Sequence, residues 1–231
     1  MIFKKEADFE EELIHLLTSV SGWKKDTCGW GNSEGAYESV LHYPDEEDLL
    51  KNWANILYNN NKSRDRLNEY PLTSGEMRQI MEQVTNLRTP LKLNGFINGR
   101  SVSIVRDNPE DTEHLGKEIS LKLFDRMEIA GGQSVYQIAQ QPKFPAKNRI
   151  LNDRRGDVML LINGMPVIRI ELKRSGVPVS EACHQIEKYS HEGVFTGLFS
   201  LVQIFVAMTV LRQSGTGRPI QSFFLFPLGG L

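Results

Sequence analysis

The chain has 231 residues, 40% hydrophobic and 24% charged, with a formal net charge of −2. That length holds one large domain or two small ones, and the composition is that of an ordinary soluble protein. The near-neutral balance excludes an overall basic field for nucleic acid, and two cysteines, Cys28 and Cys183, make no disulfide framework and read as free thiols.

The amino terminus (MIFKKEADFEEEL) is too charged for a signal peptide. Residues 5–20 are predicted helical, because Phe9, Leu13, Leu16, Leu17 and Val20 recur at helical spacing. Glu6 and Glu10 fall on the same stripe; such acids either sit at its solvated edge or dip into a site. Residues 21–44, with two tryptophans among Gly, Ser and Asn, read as a loop or partly extended segment. A second helix spans 45–59, burying Leu49, Leu50, Trp53, Ile56 and Leu57, with acids at its N-terminus. A third covers 74–87.

Strands follow. Residues 91–97 and 102–106 flank Asn98-Gly99, a hairpin signal. Residues 107–118 read as a solvated polar loop, since its acids and His114 match no metal-ligand spacing. Residues 120–124 and 134–140 are two more strands, and PKFPAK (142–147) is a stiff, basic connector. Asp157 then opens an apolar run to Ile162, Asn163-Gly164 turns the chain, and residues 167–173 alternate. Ile168, Ile170 and Leu172 take one face; Val167, Arg169, Glu171 and Lys173 take the other. Residues 178–190 form a helix carrying Gln185 and Tyr189 at i and i+4. The uncharged window 193–211 approaches a membrane span in length, but Gly193, Gly197, Ser200 and Gln203 dilute it. It reads as a buried helix end and a core strand over 201–208. Helices first, then strands, then strand–helix–strand predict an α/β fold with a mixed central sheet flanked by helices.

The hairpin carries the chemistry. Asp157 is expected to face Glu171 and Lys173 across it. Hard cations such as Mg²⁺ take one or two carboxylates, backbone carbonyls and waters. Asp157 and Glu171 supply carboxylates, and the Leu172 carbonyl is a candidate third ligand. Lys173 would steady an attacking hydroxide or phosphate charge, while Gln185 and Tyr189 position water or phosphate. The competing reading is that these charges are solvated surface, or structural groups of a nucleic-acid-binding module.

Asp157 followed by Glu171-x-Lys173 resembles the signature of PD-(D/E)xK nucleases. The longer string NGMPVIRIELK with QIEKY resembles the N-terminal nuclease domain of the restriction (R) subunit of type I restriction–modification enzymes. LTSGEMRQIMEQV, LKLNGFING and SVYQIAQQPKF stand in the family's order, so the resemblance covers roughly residues 5–209. It implies a restriction-endonuclease-like fold and a cytoplasmic, Mg²⁺-dependent endonuclease acting on double-stranded DNA. It also implies Asp157 and Glu171 as metal ligands, Lys173 as the catalytic lysine and Gln185 and Tyr189 as accessory residues. A first-helix Glu near the metal matches Glu10 best, then Glu6. Gly156 departs from the pattern, since family members usually carry Pro there.

Family R subunits also carry an ATP-dependent translocase and dock on methylation and specificity subunits. No Walker A string is present, so this chain is expected neither to hydrolyse ATP nor to pull DNA. The alternative expectation is a catalytically silent DNA- or partner-binding remnant. Residues 210–231 depart from the family. Codons exist for this tail whose shifted frame reads YFANPGP and FFYFHWAD, as the family does, which predicts a frameshift near Thr209. The tail is then expected to pack poorly or opportunistically, exposing Phe223, Phe224 and Phe226.

Overall fold

A computed structural model of the chain describes residues 3–19, 40–86, 101–123, 134–144, 154–212 and 219–227. Residues 21–39 of the expected tryptophan-bearing segment, the first strand of the Asn98-Gly99 hairpin and part of the PKFPAK connector lie outside them; the end of that segment is partly extended, as a short strand at Val40–His42.

Helix α1 spans Glu6–Ser19, α2 Glu46–Asn61 and α3 Ser74–Thr85. Two starts are fixed by reciprocal caps. Asp45 accepts from the Asp48 N–H while Asp48 accepts from the Asp45 N–H, and Thr73 and Glu76 do the same for α3. The strands are β1 (Val40–His42), β2 (Ser101–Val105), β3 (Glu118–Lys122), β4 (Tyr136–Gln140), β5 (Lys143–Phe144), β6 (Arg154–Arg155), β7 (Val158–Ile162) and β8 (Met165–Lys173). Helix α4 (Val179–His191) and a 3-10 turn (Gly197–Leu201) lead to β9 (Ile204–Arg212) and β10 (Pro219–Pro227).

Six strands form one mixed sheet in the order β1-β4-β7-β8-β9-β10. The β1–β4 and β8–β9 pairs are parallel and the others antiparallel. α4 supplies the crossover that the parallel β8–β9 pair requires. This is the expected α/β class, consistent with a restriction-endonuclease-like domain. Each sheet face has its own core. On one, Phe3 and Phe9 beside α1 meet Ile138, Val158, Leu160, Ile170 and Leu172. On the other, α2, α3 and α4 bury Trp53, Leu57, Ile80 and Ile186 against Met159, Leu161 and Phe205. Each such side chain contributes roughly 1.5–3 kcal/mol.

Two expectations need correction. The uncharged window does not begin with a helix end: its first part is a turn and the 3-10 segment, and the core strand starts at Ile204. Among the described residues no helix is long and apolar enough to cross a membrane. The polar loop after β2 is not simply solvated. Arg106, Asp111 and Asn108 are buried, and Arg106 bonds Asp111 (3.0 Å), Glu76 (2.7 Å) and the carbonyls of Leu67, Tyr70 and Pro71. One guanidinium thus ties α3, the loop before it and β2 together, which spacing alone does not reveal. Residues 219–227 of the tail pair along their whole length with β9. Phe223 to Phe226 have strong strand propensity, and β9 offered an open edge. Their side chains lie outside what is described.

Candidate active site

The site is assembled by the β7–β8 hairpin. Asn163 and Gly164 both adopt positive φ (51° and 81°), as a tight primed turn needs. A Cβ at Gly164 would lie 2.9 Å from the Trp53 backbone, so helix α2 also requires glycine there. The ladder begins Ile162↔Met165 and Leu161↔Pro166, then shifts, so that Leu160 pairs with Ile168 and Val158 with Ile170. Val167 is the extra residue of a β-bulge, beside a proline that has no N–H for the ladder. The shift decides the chemistry. An unbulged hairpin would set Asp157 against Ile170, with Glu171 turned to the other face. The bulge sets Asp157 against Glu171, on the same face.

The Leu172 N–H donates to Asp157 Oδ2 at 2.6 Å. A residue in a strand sends its N–H and C=O to the same edge, so the Leu172 carbonyl also faces the Asp157 side. Glu171 is 1% exposed. Its Oε2 accepts from Arg169 Nη2 at 2.9 Å, while its buried Oε1 has no hydrogen bond and lies 3.6 Å from Lys173 Nζ. Lys173 Nζ donates to Gln185 Oε1 (2.7 Å), and Gln185 Nε2 donates to Tyr189 Oη (3.1 Å). So α4 holds the lysine from one side. From the other side α1 brings Glu6, 3.7 Å from Lys173 Nζ. It also brings Glu10, buried at 4% exposure, which accepts from Gln140 Nε2 (2.6 Å) and Gln141 Nε2 (3.3 Å). All seven site residues expected from sequence, and Glu6 beside them, therefore sit at one end of the sheet.

Burial, then the neighbouring Glu171 charge, push the Asp157 carboxyl up from 3.8 to about 7, against the Leu172 N–H and Lys173; Glu10 adds to the rise. Two carboxylates pressed together, one with a buried oxygen lacking any hydrogen bond, make a site short of positive charge. Among the described residues no three His, Cys, Asp or Glu side chains gather in ligand geometry. The oxygen donors available to a cation there are two carboxylates, Asp157 and Glu171, and the Leu172 carbonyl. That hard-oxygen set suits Mg²⁺ or Mn²⁺ and not a soft ion.

Sequence spacing leaves two features of the site unassigned. Alternation places Arg169 on the Glu171 face but does not pair them. Nothing in the string marks Gln140 and Gln141 as the residues that fix Glu10.

A profile of the family described as "Type I restriction enzyme R protein N terminus (HSDR_N)" matches residues 3–209. The chain is 29% identical over 206 residues to the "Type I restriction enzyme SsaAORF53P endonuclease subunit" of Staphylococcus saprophyticus and to the "SauCOLORF180P endonuclease subunit" of Staphylococcus aureus (strain COL). Those alignments cover 89% of this chain and 18% of each relative. A shorter segment, 54 residues and 22% of the chain, is 46% identical to the "EcoprrI endonuclease subunit" of Escherichia coli, covering 17% of that protein.

Proposed function

This chain belongs to the type I restriction enzyme R protein N-terminal family, and on that footing we propose that it carries a metal-dependent nuclease site that hydrolyses phosphodiester bonds of double-stranded DNA. The observation that carries the reading is the bulged register, which opposes Asp157 to Glu171 with Lys173 beside them. The chain spans 18% of the length of the staphylococcal relatives it matches. In a full subunit, translocation on ATP and docking to methylation and specificity subunits would belong to the remaining length, in the cytoplasm.

A cation bound by Asp157, Glu171 and the Leu172 carbonyl would supply Lewis acidity and an acidified water. The protein does the rest. Lys173 would offset the charge that builds on the five-coordinate phosphorus, and Gln185, anchored on Tyr189, keeps its ammonium from collapsing onto Glu171. Asp157 must lose its proton before it can ligate. Glu10, held by two glutamine amides, would order an outer-sphere water.

The test is nicking of supercoiled plasmid with Mg²⁺ or Mn²⁺. Asp157→Ala and Lys173→Ala should each lower the rate by about 10²-fold or more. Cleavage that survives both substitutions overturns the assignment. A parent that binds metal and never cuts supports a silent remnant instead.

A further inference from the structure

Arg169 is fully buried, and a buried ion pair needs a reason. Replacing one with apolar side chains is often neutral or stabilising, so stability alone does not account for it. Its guanidinium carbon lies 4.7 Å from the Phe144 ring centre, 4.8 Å from Tyr189 and 5.0 Å from Phe195. Nε and Nη1 make no hydrogen bond, so the rings hold the cation by their faces. The third nitrogen, Nη2, donates to Glu171 Oε2 at 2.9 Å. The guanidinium cannot swing away, because three aromatic walls fix its plane. One oxygen of Glu171 is therefore occupied by Arg169, and Oε1 alone is left on the side of Lys173.

We propose that Arg169 is a specificity-determining positioning residue: by occupying Glu171 Oε2 it confines this carboxylate to one-oxygen ligation and so biases the site against Ca²⁺ relative to Mn²⁺ or Mg²⁺. The inference rests on the metal-site reading above. Ca²⁺ takes six to eight oxygens and gains from two-oxygen carboxylates, whereas the smaller ions are content with six ligands and keep their waters. Losing one available oxygen penalises the larger ion selectively. Adding or removing a positive charge nearby shifts both divalent ions in the same direction, so their ratio isolates the geometric effect.

Mn²⁺ uptake by the purified chain is followed through loss of the free-ion paramagnetic resonance signal, and Ca²⁺ by competition against it. Arg169→Met frees Oε2, and the ratio of Ca²⁺ to Mn²⁺ dissociation constants should fall about tenfold, the scale on which groups supporting a ligand act. Phe144→Leu removes one wall but keeps the ion pair, and should lower the ratio in the same direction by less. This second variant keeps the test open should the first fail to fold. A ratio within twofold of the parent in the folded variants, or equal weakening of both ions, overturns the proposal and leaves Arg169 a structural residue. A parent that takes up no Mn²⁺ overturns the metal-site reading itself, and this inference with it.

Discussion

At the scale of single residues, Gly156 stands where a side chain has little room. A Cβ there would lie 3.1 Å from Cε2 and Cζ of Phe144, the ring that walls Arg169. The Gly156 N–H also donates to the Pro142 carbonyl at 3.0 Å. A proline there would lose that bond and press the ring into the guanidinium. Gly156→Pro is therefore expected to destabilise the chain by roughly 1–3 kcal/mol, read as a lower urea midpoint at unchanged slope. An unchanged midpoint would mean that the aromatic cage yields freely. The sequence marks the glycine as an oddity but cannot explain it, because its reason is a ring twelve residues away brought back by the β5–β6 pair.

At the scale of elements, the bulge matters more than the motif it serves. The motif leads one to expect Asp157 to face Glu171 and Lys173, yet counting back strictly from an Asn-Gly turn sets it against Ile170, with Glu171 on the other face. The motif residues were legible, and so was the turn. The one-residue shift that makes them a site was not, because only Pro166 hints at it. Two insertions separate register from composition. An Ala placed between Leu160 and Leu161 gives both strands equal counts and keeps Asp157 opposite Glu171, so metal-dependent nicking should stay within about tenfold of the parent. An Ala placed between Ile170 and Glu171 puts itself opposite Asp157 and turns Glu171 to the other face. That variant should lose about 10²-fold or more. Equal rates in the two would show that the opposition of the carboxylates is irrelevant.

For the whole molecule, the site lies where the two cores end, and its groups come from both: Glu6 and Glu10 from α1, Gln185 and Tyr189 from α4. Helical periodicity located both helices to within a residue or so, since apolar stripes record which side is buried. It does not record how far each stripe sits along the sheet, so the convergence appears only in the fold. That convergence has a thermodynamic consequence. Unfolded, Asp157 titrates near 3.8; folded, burial and Glu171 raise it to about 7. Between those values the folded chain holds a proton that the unfolded chain has released, so stability falls as pH rises through that window and levels off above it. Asp111 acts elsewhere. Burial works against its ionised form, but hydrogen bonds from Asn68, Arg106 and His114 hold it at about 2, so its contribution is lost only as pH falls below about 4. Without added metal, the melting temperature should therefore drop between pH 5 and pH 8, and Asp157→Asn should flatten much of that slope while raising stability at pH 8. Added Mn²⁺ should restore the parent more at pH 8 than at pH 6, because at the lower pH the ion must first displace the proton. Calorimetry in buffers of different ionisation enthalpy would register that released proton at pH 6 and much less at pH 8.5. A parent and an Asp157→Asn variant with the same pH slope would refute the account, since the paired carboxylates would then be paying no electrostatic cost for the ion to relieve.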